Sequence, residues 1–204
     1  MDGLSEYDVI EPNADLVRDR LAAAIAIKQE IAAGAYPDQV VEIARVMIAA
    51  LRSGNKVIFF GNGGSAQDAG HLSAELMGRF GFDRPGLSAM SLPDATAAMT
   101  AIGNDYSYAE VFTRQVLAAG RPGDVAVGLT TSGNSENVVQ ALKAATKAGL
   151  VTVALTGAGG GKAADAATIT LSVPATDTAR IQEACMHLGH VVCEMVEAAL
   201  FPRP

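Results

Sequence analysis

The stretch Val57–Phe80, VIFFGNGGSAQDAGHLSAELMGRF, decides how the rest of the chain is read. It opens with an apolar run, Val57-Ile58-Phe59-Phe60, and breaks at Gly61-Asn62-Gly63-Gly64-Ser65. Apolar residues then recur with a helical period. This is the pattern of a buried strand, a tight glycine turn and a helix opening. A helix opening presents unpaired N–H groups and a partial positive charge, which suit an anion. Glycines let that backbone approach the anion closely. Further along, His71 and Glu75 stand four residues apart and share a helix face.

Upstream, residues 14–33 read as a helix capped by Asn13 or Asp15, and Gly34-Ala35-Tyr36-Pro37 stops it. A second helix is expected from Asp38 to about Leu51, ended by Ser53-Gly54-Asn55. Residues 1 to about 12 read as a loose arm. Downstream, Phe82-Asp83-Arg84-Pro85-Gly86 is a loop, and Leu87–Leu92 a short strand. A helical segment runs from Asp94 to about Ile102, and Gly103-Asn104-Asp105 is expected to interrupt it before Tyr108–Ala119 resumes. Further apolar strands are expected at Asp124–Leu129, Val151–Leu155 and Ala167–Val173, alternating with helices. A long helix from about Thr176 to Leu200 closes the chain. Such alternation predicts an α/β fold with a mainly parallel sheet covered on both faces. No linker is visible, so residues 1–204 read as one domain: N-terminal helices over 1–53, then an α/β core with its closing helix over 54–204.

Composition narrows the function. The formal net charge of −7 argues against a nucleic-acid binder, which would need a basic face. No run of residues has the length and apolarity of a membrane span, and no secretory signal is visible, so a cytoplasmic location is expected. Cys185 and Cys193 lie within one helical pattern and read as reduced core residues.

Two loops carry the chemistry. Gly61-Asn62-Gly63-Gly64-Ser65-Ala66 fits the G-x-G-x-x-A dinucleotide pattern, but the acidic residue that pattern needs about twenty positions later would fall in the loop near Asp83. A P-loop is excluded because no Gly-Lys-Ser/Thr follows. The second loop, Thr130-Thr131-Ser132-Gly133-Asn134-Ser135, brings four hydroxyls to a helix opening. Hydroxyls and helix N–H groups together hold a phosphate monoester without a lysine. Capping by Asn134 or Ser135 is the plainer reading, but a cap needs one such residue. Glu75 as a general base and a histidine as the matching acid would move a proton beside a carbonyl. An exposed pair of little consequence is the alternative.

Together, Gly61–Leu76, Thr130–Val138 and Thr178–Glu183, followed by His190, resemble the sugar isomerase (SIS) domain family and, more narrowly, its phosphoheptose isomerase branch. The resemblance spans nearly the whole chain. It implies a flavodoxin-like sheet, a homotetramer with active sites shared between subunits, and conversion of sedoheptulose 7-phosphate to D-glycero-D-manno-heptose 7-phosphate, early in nucleotide-activated heptose synthesis. It implies that Asn62, Gly63, Gly64 and Ser65 line the sugar-phosphate site. Asn104 and Asp105 would touch sugar hydroxyls, Thr130, Thr131, Ser132 and Ser135 would hold the phosphate, and Gln182 would contact substrate. Glu75 and His190 match the acid/base pair. His71, Glu75, Gln182 and His190 match a site for one zinc ion per subunit. Two rivals remain at this stage: a non-catalytic SIS protein that binds the bacterial replication initiator, which the Asp83-Arg84-Pro85 loop resembles, and an isomerase or sensor of another phosphosugar. Retention of both Glu75 and His190 weighs against the first.

Overall fold

The computed structural model describes residues 11–202; the arm expected at the N-terminus falls mostly on residues 1–10, outside the described residues. Five strands form one parallel sheet: β1 (Val57–Gly61), β2 (Ala89–Ser91), β3 (Val125–Thr130), β4 (Val151–Thr156) and β5 (Ile169–Ser172). Their spatial order is β2-β1-β3-β4-β5. This is the flavodoxin-like order, in which the chain reverses its winding direction between β1 and β3.

Side chains of a strand alternate between faces, and here each face has its own helical cover. Val57 and Phe59, with Val125, Val127, Val153 and Leu171, pack under α2 (Tyr36–Arg52), α3 (Gly64–Met77) and α8 (Thr178–Leu200). Ile58 and Phe60, with Ala126 and Ala154, pack under α5 (Val111–Ala119) and α6 (Glu136–Lys147). A parallel sheet buried on both sides needs strands that are apolar throughout, which is why VIFF does not alternate with polar residues. The two cysteines are free and buried among these side chains. Burial pushes both thiols up to about 12, which keeps them protonated and inert.

Two sequence expectations shift. α2 begins at Tyr36, not Asp38, because Pro37 occupies its first turn, where a missing N–H costs nothing. Only Gly34 and Ala35 separate it from α1 (Ala14–Ala33), which Asn13 caps through the N–H of Leu16. Likewise Gly103-Asn104-Asp105 does not interrupt α4 (Thr96–Asp105) but forms its last turn. An alanine-rich helix tolerates one glycine near its end. The break falls at Tyr106-Ser107, before a 3₁₀ turn at Tyr108–Glu110. The short α7 (Gly161–Ala166) follows β4. Among the described residues no helix is long and apolar enough to cross a membrane.

Candidate active site

In an open parallel sheet ligands bind beyond the carboxyl ends of the strands, where the winding reverses. The two loops singled out in the sequence leave β1 and β3, the strands that flank this point. The glycine loop after β1 turns into α3 at Gly63, whose φ is 55°. Asn62 is held from two sides. Its amide exchanges hydrogen bonds with that of Asn137 at 2.8 and 2.9 Å, and its Oδ1 also accepts from the Tyr108 hydroxyl at 2.9 Å. Neither Asn137 nor Tyr108 was picked out in the sequence. Asn137, directly beyond the Thr-Ser-Gly-Asn-Ser loop and buried in the first turn of α6, was the readable one.

In the second loop, Thr130 ends β3 and is buried, and its hydroxyl donates to Ser135 at 3.0 Å. Ser132 Oγ accepts from the N–H of Asn134. Gly133, with φ 67°, packs so tightly on Gly160 that a side chain could not fit. Ser135 stands at the N-cap position of α6 yet makes no side-chain cap bond. The hydroxyl-rich loop is therefore not explained by capping. Thr130 and Thr131 line a small pocket with Ser65, Asp68, Gln182 and Cys185. Gln182 reaches this pocket from α8, its amide lying against Gly64, where a β-carbon would collide with it. Burial raises the Asp68 carboxyl above its ordinary value, and the nearby His71 opposes that rise.

The titratable centre lies further along the same two helices. His71 Nε2 is 3.1 Å from Glu75 Oε1 and 3.1 Å from His190 Nε2. The two imidazole rings are 5.0 Å apart at their centroids, and the Phe80 ring packs against His190 at a 44° tilt, 5.8 Å between centroids. Thus α3 and α8 bring together residues 119 positions apart in the chain. One donor atom from each of His71, Glu75 and His190 lies within 4.8 Å of the others, a separation one cation could bridge. Two imidazole nitrogens and a carboxylate oxygen are the donor set of catalytic zinc sites. Gln182 is eight residues before His190, about 12 Å along the helix, and sits with the pocket-lining residues. Asn104 and Asp105 are exposed at the end of α4 and hydrogen-bonded to each other. His187 is exposed and lines a separate groove with Lys28 and Val40.

A doubly wound sheet with hydroxyl- and glycine-rich loops at its switch point, beside a carboxylate–imidazole pair, defines a sugar-phosphate isomerase class of site. The SIS domain model matches residues 22–157. A phosphoheptose isomerase of Aquifex aeolicus is 52% identical over 168 residues, covering 82% of this chain and 88% of that protein. Among solved structures, a phosphoheptose isomerase from Francisella tularensis superposes with a TM-score of 0.88 at 33% identity, covering 92% of this chain and 100% of that one. One from Neisseria gonorrhoeae gives 0.84 at 42% identity, covering 90% and 98%. The chain belongs to the SIS-domain family, in its phosphoheptose isomerase branch.

Proposed function

We propose that the protein isomerises sedoheptulose 7-phosphate to D-glycero-D-manno-heptose 7-phosphate through a cis-enediol. The observation that carries this reading is the convergence of Glu75, His71 and His190 on the same two helices that border the hydroxyl- and glycine-rich loops. Thr130, Thr131, Ser132 and Ser135 hold the phosphate, joined by the free N–H groups opening α6. Asn62, Gly63, Gly64, Ser65, Asn104, Asp105 and Gln182 hold the sugar chain. Glu75 removes a proton from the hydroxymethyl carbon next to the ketone. His190 gives a proton to the ketone oxygen, yielding the enediol. The hydroxyl on the terminal carbon then loses its proton as one is returned to the former ketone carbon, leaving the aldose. Binding the remote phosphate positions the reacting carbons and contributes to lowering the barrier.

Zinc is proposed at His71, Glu75 and His190, with Gln182 as the fourth residue of the set. Bound there, it would polarise the carbonyl and stabilise enediolate charge. Residues 1–204 are read as one domain that assembles into a homotetramer with shared sites and works in the cytoplasm. The initiator-binding alternative loses one of its supports. Arg84 of the Asp83-Arg84-Pro85 loop is buried and satisfied within the chain, so it offers nothing to a partner.

The test is a coupled assay of heptose 7-phosphate production. Glu75→Gln and His190→Gln are expected to lose at least about 100-fold in kcat, the range for a general acid or base. Both should still be stabilised thermally by the substrate. Full turnover in either variant would remove that residue from the mechanism.

A further inference from the structure

Resting on the isomerase reading, we infer that Glu197 and Arg84 are a positioning pair that sets the geometry of both Glu75 and His190. Glu197 lies on α8 two turns beyond His190, with its side chain 2% exposed. Both carboxylate oxygens are occupied. Oε1 accepts from the Phe80 N–H at 2.8 Å and Arg84 Nε at 3.0 Å, and Oε2 from the Gly81 N–H at 2.7 Å. The remaining guanidinium nitrogens of Arg84 are seated on the end of α3. Nη2 donates to the carbonyl of Glu75 at 2.9 Å, and Nη1 to those of Leu76 at 2.7 Å and Gly78 at 3.0 Å. These are carbonyls a helix end leaves without intrahelical partners, at the negative pole of its dipole.

The consequence reaches both reacting groups. Arg84 holds the main chain of Glu75 itself. Glu197 holds the main chain of Phe80, whose ring packs on His190. One buried carboxylate thus references the base on α3 and the acid on α8 to a common point. A buried ion pair is a weak way to gain stability, because desolvation offsets the attraction. Its value here is geometric, since a misplacement of about 1 Å at a reacting group can cost on the order of 100-fold in rate. Arginine is required because a lysine ammonium cannot span one carboxylate and the four carbonyls of Glu75, Leu76, Gly78 and Pro85 at once.

The experiment compares the full-length wild type with Arg84→Lys, and with Phe80→Leu, which leaves the ion pair intact. Turnover of sedoheptulose 7-phosphate is normalised to folded protein by circular dichroism. The His190 ring C–H resonance is recorded by NMR at one fixed pH. Arg84→Lys is expected to lower kcat at least tenfold with KM within threefold, and to move the His190 resonance although residue 84 does not touch that ring. Phe80→Leu should lower kcat similarly without a matching loss of folded protein. The inference is overturned if kcat per folded molecule stays within twofold of wild type in both variants, or if His190 keeps its resonance in Arg84→Lys. A wild type inactive on the heptose phosphate would refute the isomerase reading instead, and the NMR comparison would then decide the positioning role alone.

Discussion

The hydroxyl of Thr130 shows how little freedom the proposed phosphate loop retains. It is buried, fixed to Ser135, and continues a strand whose other side chains are sealed in the core. Substituting Thr130 by valine keeps the shape and removes one hydrogen-bonding group. A hydrogen bond to a charged group contributes about 1.5–3 kcal/mol, so KM for the sugar phosphate should rise at least roughly tenfold. kcat should change less, because the phosphate is remote from the reacting carbons. Steady-state kinetics check this, and an unchanged KM would take the hydroxyl out of phosphate binding. The place of such residues at the carboxyl end of a strand was legible in the sequence, because small polar groups follow an apolar run directly. Asn137 and Tyr108 were not, since they meet Asn62 across 75 and 46 positions of chain and nothing local marks an amide that will find another amide.

Among the elements, α8 carries the most. Its buried stripe runs through Ile181, Cys185, Leu188, Val192 and Val196, and Glu197 sits at the end of that stripe. A charge on an apolar helix face is a sign of an internal partner, though the sequence does not name Arg84 as that partner. Burial alone would raise the Glu197 carboxyl, but the N–H groups of Phe80 and Gly81 and the Arg84 guanidinium outweigh it and hold the group below its ordinary 4.5. A carboxyl depressed on folding stabilises the protein fully above its unfolded value and loses that contribution as pH falls through the folded one. Urea unfolding of the wild type should therefore show stability falling below pH 4.5, and Glu197→Gln should flatten that part of the profile. At neutral pH the same variant should be less stable by about 3–5 kcal/mol, because it leaves a buried guanidinium unpaired. A profile identical to wild type would show that the acid sensitivity lies elsewhere. Asp124 is the next group to consider. Burial opposes its ionisation too, but the Lys56 side chain and the N–H groups of Lys56 and Arg121 keep its carboxyl low. Helix and strand positions were readable from period and breakers, and the errors fell at ends, where Pro37 and Gly103 act according to their place in the turn.

For the whole molecule, the sequence predicted parallel strands between helices, while their lateral order follows from long-range packing that periodicity does not encode. The switch point between β1 and β3 was therefore expected only through the resemblance to a flavodoxin-like fold, and the strand order bears it out. The surface of α1 bears on assembly. Val17, Leu21 and Ile25 recur every fourth residue and are 58%, 58% and 56% exposed. An apolar stripe of this kind fits the proposed homotetramer. Leu21→Glu is expected to lower the solution mass measured by light scattering, and an unchanged mass would place the interface elsewhere. The position of α8 also fixes an order of events during synthesis. Gln182, His190 and Glu197 emerge more than a hundred positions after the residues in and beyond α3 that they meet. Until that helix arrives, Leu72 and Leu76 have no α8 against which to be buried, and His71 has no His190 beside it. A growing chain therefore carries an unburied apolar face on α3 until α8 joins it, and the meeting of His71 with His190 can form only after that.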